Sequence, residues 1–133
     1  MISARLKWTE QTRFEGTATS GHTVITDADS KVGNSPMELV LIALCGCTAT
    51  DLVTILRKKR EPFISVEVSA EAEKAPEPPR VFTAIKLLYR VSGQVSRKSV
   101  EDAVRLSEEK YCSVSAMLSK TAKVTYQIEL DSP

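Results

Sequence analysis

Ser35-Pro36-Met37-Glu38-Leu39-Val40-Leu41-Ile42-Ala43-Leu44-Cys45-Gly46-Cys47 is the stretch that decides how this chain folds. Ser35 suits a helix N-cap, Pro36 the first helical position and Glu38 the third, which together form a capping box. From Leu39 to Leu44 the helix is apolar on every side, so this part is expected to lie inside the protein or inside a dimer. Farther on, Leu52, Val53, Ile55 and Leu56 keep one face apolar. Arg57, Lys58, Lys59 and Arg60 suit the negative end of the helix dipole, and Pro62 stops the element. The spacing predicts one long helix from 36 to about 60.

The flanks read as strands. Ser3 to Thr9 has strand character, with Trp8 as its large anchor. Phe14 to Thr19 and His22 to Thr26 form a hairpin about the turn dipeptide Ser20-Gly21. Asp27 to Asn34 is a polar loop. After the helix, Ile64, Val66, Val68 and Ala70 alternate with Ser65, Glu67, Ser69 and Glu71, the period-two pattern of a half-buried strand. A stiff loop with Pro76, Pro78 and Pro79 leads to a strand whose inner face is Val81, Ile85, Leu87, Tyr89 and Val91, expected antiparallel to the one before it. Ser96 or Ser99 caps a second helix with the stripe Val100, Ala103, Val104 and Ser107. Tyr111-Cys112 interrupts, Val114, Met117 and Leu118 resume a helix, and Val124 to Leu130 alternate as a last strand. Three strands, helix, two strands, helices and strand describe an α+β fold with a mostly antiparallel sheet packed on helices.

Length and composition set bounds. At 133 residues, 42% apolar and 26% charged, residues 1–133 are expected to form a single domain. Eighteen basic and seventeen acidic side chains nearly cancel, so neither nucleic acid nor a membrane surface is an expected partner. No apolar run reaches the roughly 20 residues of a spanning helix. Met1 to Trp8 lacks the apolar core of a signal peptide, and a cytoplasmic location is expected. There, cysteines are metal ligands, nucleophiles or packing residues more often than structural disulfides.

The chain has three cysteines and one histidine. By its own sequence context, Cys47 is either a small buried hydrophobe or a redox nucleophile. Cys112, in Glu109-Lys110-Tyr111-Cys112-Ser113-Val114, is a core or cap residue, or the second thiol of a pair; at the start of a helix its thiolate would gain from free amides. Cys45 points about 200° away from Cys47 on one helix and is read as packing. Cys45-Gly46-Cys47 is a weak metal motif, because zinc takes four ligands and His22 reads as a solvated turn residue. No metal and no cofactor are expected. Glu38 is first a capping partner. The Arg57 to Arg60 cluster lacks the aromatic neighbours of a nucleic-acid patch. Gly46 costs roughly 1 kcal/mol within a helix, which points to a close approach there. Asp51, one turn past Cys47, would oppose ionisation of that thiol if it faced the sulfur.

On Ser35-Pro36-Met37-Glu38-Leu39, Cys47 eleven residues after the proline, Cys112 before a short helix and last strand, and the element order, the chain resembles the OsmC/Ohr family of osmotically induced and organic-hydroperoxide-resistance proteins. The resemblance extends along nearly the whole chain, within the small OsmC-like branch. It implies an intertwined homodimer with sheets wrapped around long central helices. It also implies a thiol-dependent peroxidase for organic hydroperoxides, with Cys47 as the peroxidatic and Cys112 as the resolving cysteine and an external dithiol as reductant. The family activates its thiolate with an arginine from before the helix and a glutamate in the first turn. Here Met37 directly follows the proline, Glu38 stands one residue later, and the loop offers only Lys31. Arg13, or else Arg5, is the arginine that can substitute, and the expected catalytic set is Cys47, Cys112, Glu38 and Arg13. The alternative is an OsmC-fold dimeric binding or redox-sensing module with little peroxidase activity.

Overall fold

A computed structural model describes residues 1–131. The elements run β1 (Ala4–Glu10), β2 (Arg13–Ala18), β3 (Thr23–Asp27), α1 (Pro36–Lys58), β4 (Phe63–Lys74), β5 (Phe82–Gly93), α2 (Arg97–Leu106), a π-helical turn (Ser107–Tyr111), α3 (Ser113–Leu118) and β6 (Lys123–Asp131). The fold is α+β, with two three-stranded sheets and one long helix. The chain gathers into two compact units, Met1–Ile42 and the part from Ala43 onward, and α1 begins in the first and continues in the second.

In the first unit β1, β2 and β3 form an antiparallel sheet in that order, with Trp8 opposite Phe14 and Leu6 opposite Gly16. Trp8 is not the buried anchor its size suggests. It is 61% exposed, like the rest of β1, and its indole N–H donates to the Gln11 carbonyl at 2.8 Å. Asp27 organises the loop that follows β3. Its carboxylate accepts from the Thr12 hydroxyl (2.7 Å) and from the backbone N–H groups of Asp29, Lys31 and Val32, and the Thr12 bond leads in holding it well below the usual carboxylate range. The capping box forms as expected. Glu38 Oε1 accepts from the Ser35 N–H at 2.8 Å, and Ser35 Oγ accepts from the Glu38 N–H at 3.2 Å. The Ser30 hydroxyl also donates to Glu38.

In the second unit β4 pairs antiparallel with β5, and β6 lies parallel to β5. A parallel neighbour needs a crossover, which α2, the π turn and α3 supply. The expected inner face of β5 is buried at Ile85, Leu87, Tyr89 and Val91, whereas Val81 precedes the strand and is 40% exposed. Ser96, not Ser99, caps α2, its hydroxyl accepting from the Ser99 N–H. The α2 stripe is buried throughout (Val100, Ala103, Val104, Ser107), as are Leu44, Leu52 and Leu56 of α1. Gly93 is required where it stands. Its φ is +117°, and a Cβ there would lie 2.7 Å from the Pro62 carbonyl oxygen.

One expectation about α1 narrows and another changes. The apolar turn from Leu39 to Leu44 is not enclosed within one chain, because Ile42 is 53% exposed and a Cβ on Gly46 would meet nothing within 4 Å. The helix is also long and apolar enough to cross a membrane by length and composition. Its polar residues interrupt any continuous run yet barely lower an 18-residue mean hydropathy of 2.2. Its buried face of Leu44, Thr48, Leu52 and Leu56 accounts for part of that apolarity.

Candidate functional site

The second unit brings Cys47 and Cys112 together. The two sulfurs and a carboxylate oxygen of Asp51 all lie within 4.8 Å of one another. Cys47 and Asp51 are one helical turn apart on α1, so they share a face. Cys112 arrives from the crossover, and the π turn controls its approach. A π turn inserts an extra residue into a helical path and is frequent at functional sites. Here the Cys112 N–H donates to the Ser107 carbonyl at 2.8 Å, which ends the turn and leaves Cys112 as N-cap of α3.

The same turn aims two polar side chains inward. The buried Ser107 hydroxyl donates to Asp51 Oδ2 at 2.9 Å. Glu108 accepts from the Tyr89 hydroxyl at 2.5 Å and from the Ser115 hydroxyl at 2.9 Å. The Ser115 N–H donates to Cys112 Sγ at 3.3 Å. Burial and then the bond to Glu108 push the Tyr89 phenol above its ordinary range, so it stays a donor.

Burial pushes the Cys112 thiol up to about 12, a hydrogen bond to Cys47 adds to the shift, and the Ser115 N–H opposes it. The helix-start amide expected to favour a Cys112 thiolate is therefore present and outweighed by desolvation. Its partner Cys47 is half-buried. Asp51 does face the sulfurs. Cys45 is half-buried, with its thiol raised by burial, and it stands outside this cluster.

Glu38 and Arg13 belong to the first unit. Glu38 is engaged in the capping box, and Arg13 pairs with Glu10 (3.0 Å) and Asp27 (3.5 Å). His22 is an exposed turn residue bonded to Ser20. Sequence reading missed Glu108, Tyr89 and Ser115. A signal for Glu108 was present: the apolar ridge Val100–Val104 continues at the same four-residue step to a carboxylate.

A cleft of about 420 Å³ opens beside Asp51, lined by Thr54, Ile55, Leu106 and Tyr111 with Lys58 and Lys59. Neither thiol lines it, and Asp51 joins it to the cluster. A second cleft of about 420 Å³, over Ser69, Glu71, Lys86, Thr125 and Gln127, holds none of the thiols.

The family described as OsmC-like protein matches residues 27–127, a span that includes every residue of this cluster. The chain belongs to the OsmC-like family. Protein YhfA of Escherichia coli (strain K12) is 43% identical over 131 residues, covering 97% of this chain and 98% of YhfA. A solved hypothetical protein from Aquifex aeolicus VF5 is 27% identical with a TM-score of 0.86, covering 98% of both chains. An organic hydroperoxide resistance protein from Elizabethkingia anophelis is 12% identical with a TM-score of 0.74, covering 98% of this chain and 96% of its own, a likeness of fold alone. The OsmC-like fold and membership expected from the sequence are thus established.

Proposed function

We propose that this OsmC-like protein is a thiol-dependent peroxidase acting on organic hydroperoxides. The observation that carries the reading is the hydrogen-bonded approach of Cys47 and Cys112, drawn from opposite halves of the chain. Cys47 is the nucleophile. Its thiolate sulfur attacks the outer peroxide oxygen, the S–O bond forms, the O–O bond breaks, and the alkoxide takes a proton from solvent and leaves as an alcohol. Cys112 then attacks the sulfenic sulfur. The S–S bond forms, and the departing hydroxide leaves as water with the proton that Cys112 has kept. An external dithiol resets the pair. The cleft at Ile55, Leu106 and Tyr111 suits an alkyl group. Arg13 is proposed as the cation that tunes Cys47, with Glu38 in an orienting role, so Arg13→Ala should slow Cys47 alkylation.

The protein is proposed to work in the cytoplasm as a homodimer. Every apolar core residue among the described ones lies at Leu44 or beyond, while Leu6, Trp8, Val24, Ile25 and Ile42 are exposed. A three-stranded sheet with no buried apolar side chain of its own needs cover.

A second reading, a redox-sensing or binding module with little turnover, is favoured by Asp51 beside the sulfurs, since a carboxylate there disfavours thiolate. Titrating reduced protein with an alkyl hydroperoxide separates the two. The enzyme loses two thiols per chain rapidly and turns over with a dithiol. Cys47→Ser abolishes this, and Cys112→Ser stops after one turnover as a sulfenic acid. Full activity in Cys47→Ser, or no thiol loss in the wild type, rejects the peroxidase.

A further inference from the structure

We propose that Cys47, Asp51 and Cys112 form a binding site for a thiophilic divalent cation such as zinc, one ion per chain. The three ligand atoms lie within 4.8 Å of one another. Tetrahedral zinc, with sulfur at about 2.3 Å and oxygen at about 2.0–2.2 Å, holds such atoms roughly 3.5–3.8 Å apart, so closing on the ion takes side-chain movements of about 1 Å. The donors sit on firm supports. Two come from one face of α1, and the third is fixed by the bond from the Cys112 N–H to Ser107.

Asp51 is the residue that the ion explains. Beside two sulfurs a carboxylate is electrostatically unfavourable, and it hinders the thiolate that peroxide chemistry needs. A divalent cation reverses that balance, because all three groups bind it as anions. The surroundings match a ligand shell. The buried Ser107 hydroxyl donates to Asp51 Oδ2 at 2.9 Å, as outer partners of metal-bound carboxylates do. The Ser115 N–H at 3.3 Å from Cys112 Sγ suits a sulfur carrying negative charge. Three protein donors leave the fourth position for water or a small exogenous ligand. The half-buried side chains of Cys47 and Asp51, with the cleft beside Asp51, give the ion a way in.

On binding, two S–H protons pass to solvent, two S–metal bonds and one O–metal bond form, and no electron changes hands. The same sulfurs would join in a disulfide, so ion and disulfide exclude each other. The site needs only reduced thiols and does not rest on the peroxidase reading.

The test uses reduced, metal-free, full-length protein under exclusion of air, titrated with Zn²⁺ against a chromophoric chelator and with Co²⁺ by absorption. The expected result is one ion per chain, two protons released, and sulfur-to-cobalt charge transfer. Asp51→Asn should weaken binding by about tenfold or more and Ser107→Ala by about tenfold. Cys45→Ser should leave it unchanged, and the oxidised protein should not bind. Far-UV circular dichroism checks that each variant is folded. Absence of stoichiometric binding in the folded wild type overturns the site. So does unchanged affinity in folded Asp51→Asn, or loss of the ion in folded Cys45→Ser, which would move the ligand set to Cys45 and Cys47. Zinc binding without thiol oxidation by hydroperoxide rejects the peroxidase and keeps the site; oxidation without zinc binding does the reverse.

Discussion

Cys112 shows how far a local rule reaches before its surroundings take over. Its place at the head of a helix is legible in the sequence, and the Ser115 N–H does reach its sulfur. Burial nevertheless dominates and leaves the thiol at about 12. The sign of the consequence follows. A thiol whose folded value lies above its unfolded value of about 8.5 binds more protons folded than unfolded in that window. Its contribution is fully present below about pH 8.5 and is lost as pH rises towards 12. Chemical unfolding across this range should therefore show stability falling more steeply in the wild type than in Cys112→Ser, the comparison removing the parallel contribution of Tyr89. Equal slopes would mean that Cys112 is not shifted. Asp51 makes the opposite test. Asp51→Asn should speed alkylation of Cys47 by removing a like charge beside the sulfur; an unchanged or slower reaction would show that the carboxylate does not act on it. Cys47 and the hazard of Asp51 were readable from spacing along one helix, and Cys112 as the second thiol from the family resemblance. Tyr89 and Ser115 were not, because their partner Glu108 is aimed at them by a π turn that no simple periodicity announces.

Among the elements, α1 was legible because its start and end are both chemically marked. Ser35, Pro36 and Glu38 give the start, and the observed helix stops at Lys58, with Arg60 at a φ of 58°. Removing the box with Glu38→Ala should cost about 1 kcal/mol, read as a lowered denaturation midpoint. No change would show that the cap is redundant. Gly93 is a sharper case. Substitution by alanine imposes both a positive φ and a Cβ 2.7 Å from the Pro62 carbonyl oxygen. Gly93→Ala should therefore destabilise by about 1–3 kcal/mol, and unaltered stability would show that the β4 start can yield. The strands were found by period two, and the β2–β3 and β4–β5 antiparallel pairs by their connections, but the place of β6 was not. Alternation tells which residues share a face and says nothing of which strand lies alongside. The parallel β6 is a consequence of the crossover, which is a long-range property.

At the scale of the molecule, apolar surface is the unresolved load. Trp8 is 61% exposed, Ile42 53%, Ile64 71% and Met117 64%. Sequence reading treated Trp8 as a core anchor because residue size predicts burial without saying in which chain the burial occurs. The apolar turn of α1 carries the same ambiguity, and inside the protein or inside a dimer was as much as the pattern allowed. The homodimer proposed above would cover side chains that one chain leaves in water. Association then contributes to the stability of the folded state, and the melting temperature must rise with protein concentration. Sedimentation equilibrium should give two chains per particle for the wild type. Ile42→Arg places a charge on the exposed apolar part of α1 and should shift the particle to one chain. It should also lower the melting temperature and remove its dependence on concentration. A wild type that sediments as one chain at micromolar concentration, with a melting temperature independent of dilution, would leave this apolar surface without a partner copy and refute the dimer.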